Sequence, residues 1–156
     1  MATEIGAADN IVIVAKPSEG PDPRAHWPQH LREAFEREQT NGIVGSTLVS
    51  ETDSLRVWHL HLPPGARCGF HRHVLDYFWT VMTPGVARGY YSDGRIQDVT
   101  HYPGETRHYT FGPGEYFVHS VENVGDTDLL FTTVEFLKGA NPPIPIPESV
   151  RLQRAA

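Results

Sequence analysis

The sequence contains almost no cysteine and no long apolar run. Cys68 is the one cysteine among 156 residues, so no disulfide can form within the chain. No apolar stretch approaches the roughly 20 residues that a membrane-spanning helix requires. The first residues also lack the basic segment followed by an apolar segment that marks a secretory signal. We therefore expect a soluble protein of the reducing cytoplasm.

Positive charge is also scarce. The chain has 13 lysine and arginine residues against 19 acidic residues, a net charge of −6 with neutral histidine. No run of lysine or arginine occurs, so neither nucleic acid nor an anionic membrane surface is expected as a partner. With 39% hydrophobic residues the chain can bury the core of one domain. Its 14 glycines and 13 prolines fit many short strands joined by tight turns.

The first 41 residues predict an extended arm followed by a helix. Residues 11–14 form a short apolar run that suits an edge strand, and a proline-rich loop follows it. In residues 27–39, Leu31, Ala34 and Phe35 recur at helical spacing. Pro28 suits the first turn of this helix, and Asn41-Gly42 suits its end.

Beyond the helix, the apolar period changes from 3.6 to 2, which indicates strands. The predicted strands are residues 55–62, 70–82, 86–91, 96–102, 106–111, 116–121 and 129–137. Their number and their regular turns predict an all-β fold, a single jelly-roll barrel of two antiparallel sheets with one short N-terminal helix. We expect an arm and helix in residues 1–41, the barrel in residues 42–138 and an extended proline-rich tail in residues 139–156.

Three histidines form the strongest functional pattern. His71 and His73 are two positions apart and would point to the same side of a strand. His119 follows 46 positions after His73, and Asn123 follows His119. A third histidine arriving from a later strand can complete a facial site for a divalent metal ion.

The residues around these histidines resemble the two motifs of the cupin superfamily. Residues 65–73 match G-x5-H-x-H and residues 113–123 match P-G-x4-H-x3-N. The resemblance covers roughly residues 42–138. Where cupins usually place a glutamate ligand, this chain has Tyr77 or Phe78, and Asp76 is the nearest carboxylate. The H-x-H-x2-D-Y pattern is similar to that of a subset of small bacterial cupins. This resemblance implies that the chain has the cupin fold.

The resemblance implies metal ligation by His71, His73 and His119. Asp76 is either a fourth ligand or an acid beside the ligands. Strand parity favours Tyr77 over Asp76 on the histidine side, unless a bulge intervenes. Three histidines leave coordination positions open, as a catalytic metal requires. We expect a divalent ion, with Fe(II) favoured and Zn, Mn or Ni as alternatives.

Other polar and aromatic residues are candidates for the surroundings of the substrate. His59 and His61 repeat the two-residue spacing on the strand before the first motif, and they are catalytic candidates if their face points inward. His101 and His108 lie near a turn and are expected to be exposed. The remaining catalytic and substrate-binding candidates are Asp76, Tyr77, Trp79, Arg88, Tyr90 and Phe117.

Three functional hypotheses follow from this pattern. The first is a non-haem Fe(II) dioxygenase acting on a small organic substrate, an activity that some cupins with three histidines have. The second is a non-redox isomerase, lyase or cyclase that uses Zn, Mn or Ni as a Lewis acid. The third is a metabolite-binding cupin without turnover, although the chain carries no DNA-binding or other output module. The arm and the tail would suit pairing about a two-fold axis, so we expect a homodimer.

Overall fold

The alternating apolar residues form two antiparallel sheets in a computed structural model that describes residues 3–5 and 10–154. The strands of these residues are β1 (Thr3–Ile5), β2 (Ile11–Ala15), β3 (Thr47–Glu51), β4 (Leu55–Leu62), β5 (Arg67–His73), β6 (Tyr77–Val81), β7 (Gly85–Tyr91), β8 (Ile96–His101), β9 (Thr106–Thr110), β10 (Phe117–Asn123) and β11 (Leu129–Phe136). The helix α1 (Gln29–Glu38) precedes β3, and a 3-10 turn, Glu148–Val150, lies near the end of the chain.

The strand pairing is nested. Among the eight strands from β4 to β11, β4 pairs with β11, β5 with β10, β6 with β9 and β7 with β8. The outermost strands of this set therefore pair with each other, and the two central strands form a hairpin. This nesting is the topology of an eight-stranded jelly roll. The sheet orders are β1-β9-β6-β11-β4-β3 and β2-β8-β7-β10-β5. The all-β prediction is therefore confirmed, with two facing sheets rather than one continuously hydrogen-bonded barrel.

The N-terminal predictions correspond to two elements. The expected edge strand is β2, which pairs with β8 at the margin of the five-stranded sheet. The helix is shorter than expected at both ends, because Pro28 is its N-cap and Gln39 its C-cap. Leu31, Ala34 and Phe35 are buried. Of the described helices, none is long and apolar enough to cross a membrane.

One predicted strand is wrong in its extent. Residues 70–82 were expected to form a single strand, but the chain leaves one sheet after His73 and enters the other at Tyr77. Leu75 is buried at this crossing. The side-chain amide of Asn141 donates to the carbonyl oxygen of Val74 at 3.0 Å and holds the crossing in place. Both halves are apolar, so the alternation alone does not reveal the break.

The proline-rich tail packs against its own chain. Ile146 and Val150 contact the buried cluster of Val44, Leu48 and Trp58, and Leu48 forms a bridge with Arg151. Residues 142–147 form no helix or strand, and the 3-10 turn Glu148–Val150 follows them, so the tail is not extended throughout. Ile146 and Val150 are consequently packed within this domain, whereas Leu152 is 55% exposed.

Two further apolar clusters lie on opposite sides of the five-stranded sheet. The helix covers the outer face, where Trp27 stacks on Phe70 with ring centroids 5.4 Å apart. The second cluster lies between the sheets and includes Leu60, Val81 and Leu129. The inner face of the five-stranded sheet therefore faces the second sheet across the interior of the jelly roll, where the histidines lie.

Candidate metal centre

Neighbouring strands bring the three histidines together. His71 and His73 lie on β5, and His119 on β10 is the direct cross-strand partner of His71. The ring centroid of His71 is 4.9 Å from that of His73 and 4.6 Å from that of His119. One ligand nitrogen from each ring lies within 4.8 Å of the other two. The structure thus assembles the cluster that the two sequence motifs predict.

A β-bulge directs the histidines inward. The register between β10 and β5 shifts by one residue, from His119 opposite His71 to Val121 opposite Cys68. Cys68 packs in the cluster between the sheets, whereas Phe70 packs under the helix. Simple alternation from Cys68 would have placed Phe70 inside and His71 outside. The bulge therefore reverses the parity and places His71 and His73 in the interior.

The same bulge orients the ring of His71. Its Nδ1 lies 2.9 Å from the carbonyl oxygen of Gly69, which can only accept a hydrogen bond. Nδ1 therefore carries the proton when the ring is neutral, and Nε2 keeps the lone pair. A backbone carbonyl that fixes the tautomer in this way is typical of metal-binding histidines.

His73 and His119 have buried nitrogen atoms that lack a partner. The Nδ1 atoms of both rings are inaccessible to solvent and form no hydrogen bond in the part of the chain that the structure describes. An unsatisfied buried polar atom costs about 1–3 kcal/mol. Two such nitrogens beside a third imidazole fit a cation that accepts nitrogen lone pairs.

Burial keeps the three rings neutral. It lowers the pKa of His71 to about 4, although the hydrogen bond to Gly69 opposes this change. Burial also lowers the pKa of His73 and His119 well below the usual histidine value, and repulsion between the rings adds to the effect. At neutral pH all three lone pairs are available. Neutral imidazole nitrogens suit Fe, Zn, Mn, Ni and Cu.

The cluster forms part of the wall of a cavity between the two sheets. The cavity has a volume of about 70 Å³, which suits a small ligand. Its lining residues come from both sheets and are Val44, Leu60, His71, His73, Tyr77, Trp79, Ala87, Gly89, Tyr91, Gln97, Val99, His101, Arg107, Tyr109, His119, Val121, Phe131 and Thr133. A mostly apolar wall with a few polar groups is the usual composition of a small-molecule site.

Three of the predicted aromatic residues lie at this site. Tyr77 and Trp79 line the cavity, and Tyr77 stacks on His73. The ring centroid of Phe117 is 4.5 Å from that of His119, so Phe117 packs against one of the three histidines. Strand parity placed Tyr77 on the side of the histidines, and this is its position in the structure.

Asp76 is not a member of the cluster. Among the described residues, the one group of three or more potential metal ligands is His71, His73 and His119. The Oδ1 atom of Asp76 instead accepts a hydrogen bond from the backbone amide of Phe111 at 2.9 Å. The prediction of Asp76 as a fourth ligand or catalytic acid is therefore wrong. The carboxylate joins the turn before β6 to the end of β9.

His59 and His61 face outward, which contradicts their prediction as catalytic residues. Both are exposed, while Trp58, Leu60 and Leu62 on the other face of β4 are buried. His61 pairs with Asp128 at the surface, with Nε2 2.8 Å from the carboxylate oxygen. The alternation predicts the two faces of β4 correctly, but it does not show which of them points into the interior.

Arg88 and Tyr90 also face away from the cavity. Arg88 forms an ion pair with Asp98 at 2.8 Å, and the hydroxyl of Tyr90 donates to Glu122 at 2.8 Å. Tyr90 packs under Trp27 on the outer face of the sheet. Their prediction as substrate-binding residues is wrong because the other face of β7, with Ala87, Gly89 and Tyr91, lines the cavity.

The sequence interpretation missed most of the polar lining. Tyr91 is the cross-strand partner of His119, so its side chain lies on the histidine side of the sheet. Tyr109 is in the same way the partner of Tyr77. The hydroxyl of Tyr91 accepts a hydrogen bond from Gln97 at 2.9 Å. Both residues could have been identified from the cross-strand register, because Tyr91 is paired with His119 and Tyr109 with Tyr77.

His101 was expected to be exposed, and this is wrong. The residue is 6% exposed, and its Nδ1 lies 2.8 Å from Oε1 of buried Glu105. Arg107, also buried, donates to the other carboxylate oxygen at 2.9 Å. His101 and Arg107 both line the cavity, so a second polar cluster accompanies the three histidines. His108 is exposed, as expected.

Among known proteins, only solved structures are found to be similar to this chain. No protein-family model matches the sequence, and no curated protein sequence does either. A cupin domain from Bordetella pertussis is 24% identical, with 61% of this chain and 98% of that chain covered and a TM-score of 0.49. A Klebsiella pneumoniae protein with a double-stranded β-helix domain is 25% identical, with 69% and 90% covered and a TM-score of 0.49.

A longer protein is also similar. An oxalate decarboxylase variant from Bacillus subtilis is 25% identical over 56% of this chain, with a TM-score of 0.40, and this chain spans only 22% of its length. The nested strand order and the histidines on β5 and β10 define the class independently of these superpositions. This chain has the cupin fold, with a cluster of three histidines in its interior.

Proposed function

We propose that the protein is a metal-dependent enzyme acting on a small organic substrate. The observation that carries the proposal is the convergence of His71, His73 and His119 in the wall of a cavity that both sheets line. Three neutral imidazoles hold a divalent ion and leave coordination positions open. A structural site would instead be closed by a fourth protein ligand.

Among metal-dependent reactions we propose a non-haem Fe(II) dioxygenase. An Fe(II) ion in this site would supply the one-electron chemistry that dioxygen requires. The chain contributes His71, His73 and His119 as ligands, while the rings of Tyr77 and Phe117 pack against them and limit the access of water. The small cavity supports a substrate of a few heavy atoms.

The alternative is a non-redox isomerase, lyase or cyclase. A Zn, Mn or Ni ion held by the same residues would polarise a carbonyl group of the substrate. One observation favours this alternative: the cavity also contains His101, which is hydrogen-bonded to Glu105 and thereby oriented. Proton transfer beside a polarised carbonyl is the chemistry that such a pair supports.

Metal analysis combined with oxygen consumption tests the proposal. We expect about one metal ion per chain in the wild type and none in His119→Ala. The matched control is His108→Ala, which removes an exposed histidine from β9 and should retain the metal. Full metal content in His119→Ala would overturn the metal site. Bound iron together with oxygen uptake on small diketones, phenols or thiols would support the dioxygenase, whereas turnover without oxygen uptake would support the alternative.

We also propose that the protein functions in the cytoplasm. Cys68 is the sole cysteine and is a free thiol. Free thiols persist in reducing compartments. Fractionation of the native host with antibody detection is the direct test, and recovery from an extracytoplasmic fraction would contradict the location.

A further inference from the structure

His101 and Glu105 form a buried pair in the cavity wall beyond the three histidines. The side chains are 5% and 4% exposed, and the Nδ1–Oε1 distance is 2.8 Å. His101 ends β8, and Glu105 follows it across the turn to β9. Gly104 in that turn has a φ of 90°, a left-handed conformation that suits glycine. The tight turn therefore brings the carboxylate back to the imidazole.

Glu105 is held as a carboxylate. Besides His101, it accepts hydrogen bonds from the side-chain amide of Asn10 at 3.0 Å and from Arg107 at 2.9 Å. Burial alone would raise its pKa, but these hydrogen bonds outweigh burial and lower the pKa to about 2. At neutral pH the group is ionised and can only accept hydrogen bonds. The proton of neutral His101 is therefore on Nδ1.

In the neutral ring, the second nitrogen of His101 has the lone pair. Nε2 has no hydrogen-bond partner among the described residues, and the residue lines the cavity. The rings of Trp79 and Phe131 pack against the imidazole at nearly right angles, with centroids 5.3 and 5.1 Å away. These contacts and the bond to Glu105 restrict the orientation of the ring. A fixed tautomer with one uncommitted nitrogen is the arrangement of a general base.

We propose that His101 is a proton-transfer residue that acts on small enolisable carbonyl compounds, and that Glu105 is its positioning residue. This inference rests on the proposed metal-dependent function, because the carbonyl group is expected to bind at the three histidines. It adds to that function a specific base and a substrate class. The arrangement serves the Lewis-acid alternative directly, and it serves a dioxygenase whose substrate must first lose a proton.

The proposed step is balanced within the site. Nε2 of His101 accepts a proton from the carbon next to the carbonyl group. The electron pair of that C–H bond forms the C=C bond of an enolate, and the carbonyl π electrons move to oxygen. The imidazolium that results is stabilised by the negative charge of Glu105. His101 then returns the proton and becomes neutral again, so no other reactant is needed. With a hydroxyketone the proton can return to either carbon of the enediolate. With a simple ketone it returns to the carbon that lost it.

Isotope exchange in heavy water tests the proposal. The probes are pyruvate, 2-oxobutanoate and hydroxyacetone, and proton NMR follows the replacement of their C–H hydrogens by deuterium with metal-loaded protein. We expect wild-type acceleration with at least one probe. His101→Gln should reduce the rate by about 10²-fold or more, as the contribution of a general base requires. The matched control His108→Gln, on an exposed part of β9, should leave the rate unchanged.

The pH profile distinguishes positioning by Glu105 from a purely structural role. Among the described residues, the charged groups beside His101 are Glu105 and the Arg107 that pairs with it, while β6 and β11 contribute the apolar rings of Trp79 and Phe131. Replacing the carboxylate in Glu105→Gln removes the negative charge that stabilises the imidazolium of His101. The midpoint of the exchange rate should therefore move to lower pH. An unchanged midpoint would overturn the positioning role.

A measurement that does not depend on catalytic turnover distinguishes failure of this inference from failure of the proposed function. Imidazole nitrogen NMR of metal-free protein should show neutral His101 as the Nδ1–H tautomer, and Glu105→Gln should lose this preference. The Nε2–H tautomer in the wild type would overturn the pair. So would full exchange activity in His101→Gln, or no acceleration of any probe by fully metal-loaded wild type. Absence of bound metal would overturn the metal centre instead, and the tautomer would still report on His101.

Discussion

Tyr77 stacks flat on His73, with ring centroids 3.9 Å apart and an angle of 9° between the ring planes. The tyrosine is 3% exposed, and its other face stacks on Tyr109 at 4.7 Å. His73 therefore belongs to a short column of rings that starts at the metal centre. Because the Nδ1 atom of His73 has no hydrogen-bond partner among the described residues, this packing is the main contact that orients the ring.

We predict that the stacked ring of Tyr77 determines metal affinity. Tyr77→Leu removes the flat surface and should weaken binding by 10- to 100-fold, the range typical for residues that orient a metal ligand. Tyr77→Phe keeps the ring and is the matched control. Competition with a chelator of known affinity measures both variants. Equal weakening in the two variants would assign the effect to the hydroxyl group instead.

A second prediction concerns Glu135, a carboxyl group buried beside Trp58. The residue is 3% exposed, and the indole Nε1 of Trp58 donates to its Oε1 at 2.7 Å. Burial raises the pKa of Glu135 from 4.5 to about 7, although the hydrogen bond from Trp58 and the nearby charge of Arg56 oppose the change. The folded protein therefore holds a proton that the unfolded chain has already lost between these two pH values.

The sign of the pH effect follows from this difference. The stabilising contribution of protonated Glu135 is complete below pH 4.5 and is lost as the pH rises through about 7. Glu135→Gln keeps an acceptor for Trp58 and cannot ionise. Its advantage over wild type should grow from near zero at pH 4.5 to about 3 kcal/mol at most above pH 7, at about 1.4 kcal/mol per pKa unit.

Urea unfolding of both proteins across this pH range measures the effect of Glu135. The difference between the two proteins cancels the contributions of the histidines. A constant difference from pH 5 to pH 8 would show that Glu135 titrates normally in the folded state. The same experiment with Glu36→Gln, an exposed helix residue, gives the baseline for a neutralised carboxylate.

The strands and the cluster of three histidines could be predicted because their signals are local. Alternation from Leu55 to Leu62 and the turn at Asp93-Gly94 depend on neighbouring residues, and so do the two histidine motifs. By contrast, the sequence does not show which face of a strand points into the cavity when both of its faces are buried. Tyr90 packs under the helix and Tyr91 lines the cavity, so each face of β7 carries a buried or partly buried tyrosine. For this reason the predictions for Arg88 and Tyr90 selected the wrong face of β7.

The polar cluster at His101 could not be predicted for a different reason. His101, Glu105 and Arg107 meet across the turn between β8 and β9, and Asn10 joins them only when β2 pairs with β8. Each residue taken alone resembles an ordinary polar group beside a turn. Burial of charged groups requires partners that compensate the charge, and the topology supplies those partners.

The homodimer expected from the sequence stays a prediction, and the structure suggests where its interface would lie. The tail packs on its own chain, but β2 is an edge strand whose Val12, Ile13 and Val14 are 65%, 48% and 46% exposed. Apolar edges of this kind favour strand pairing between copies. Val12→Lys combined with Val14→Lys should convert a dimer into a monomer in analytical ultracentrifugation. A dimer that survives both changes would place the interface elsewhere.

The turn at Gly94 provides a stability prediction with an internal control. Gly94 has a φ of 94°, and its carbonyl oxygen accepts a hydrogen bond from the indole of Trp27 at 3.1 Å. A Cβ atom at Gly94 would overlap the carbonyl oxygen of Pro23, whereas a Cβ atom at Gly104, with a φ of 90°, would meet nothing within 4 Å. Both alanine variants incur the cost of a left-handed backbone, about 1–2 kcal/mol.

Only Gly94→Ala must also displace the loop that carries Pro23 and Trp27. We therefore expect Gly94→Ala to lose at least about 2 kcal/mol more than Gly104→Ala, the size of effect that forced rearrangement of packed groups produces. Chemical denaturation of the two variants measures the difference. Near-ultraviolet circular dichroism should change in Gly94→Ala alone, because Trp27 loses its fixed position under the helix. Equal stabilities would show that the loop moves freely, and the contact between Pro23 and the turn would then contribute nothing to folding.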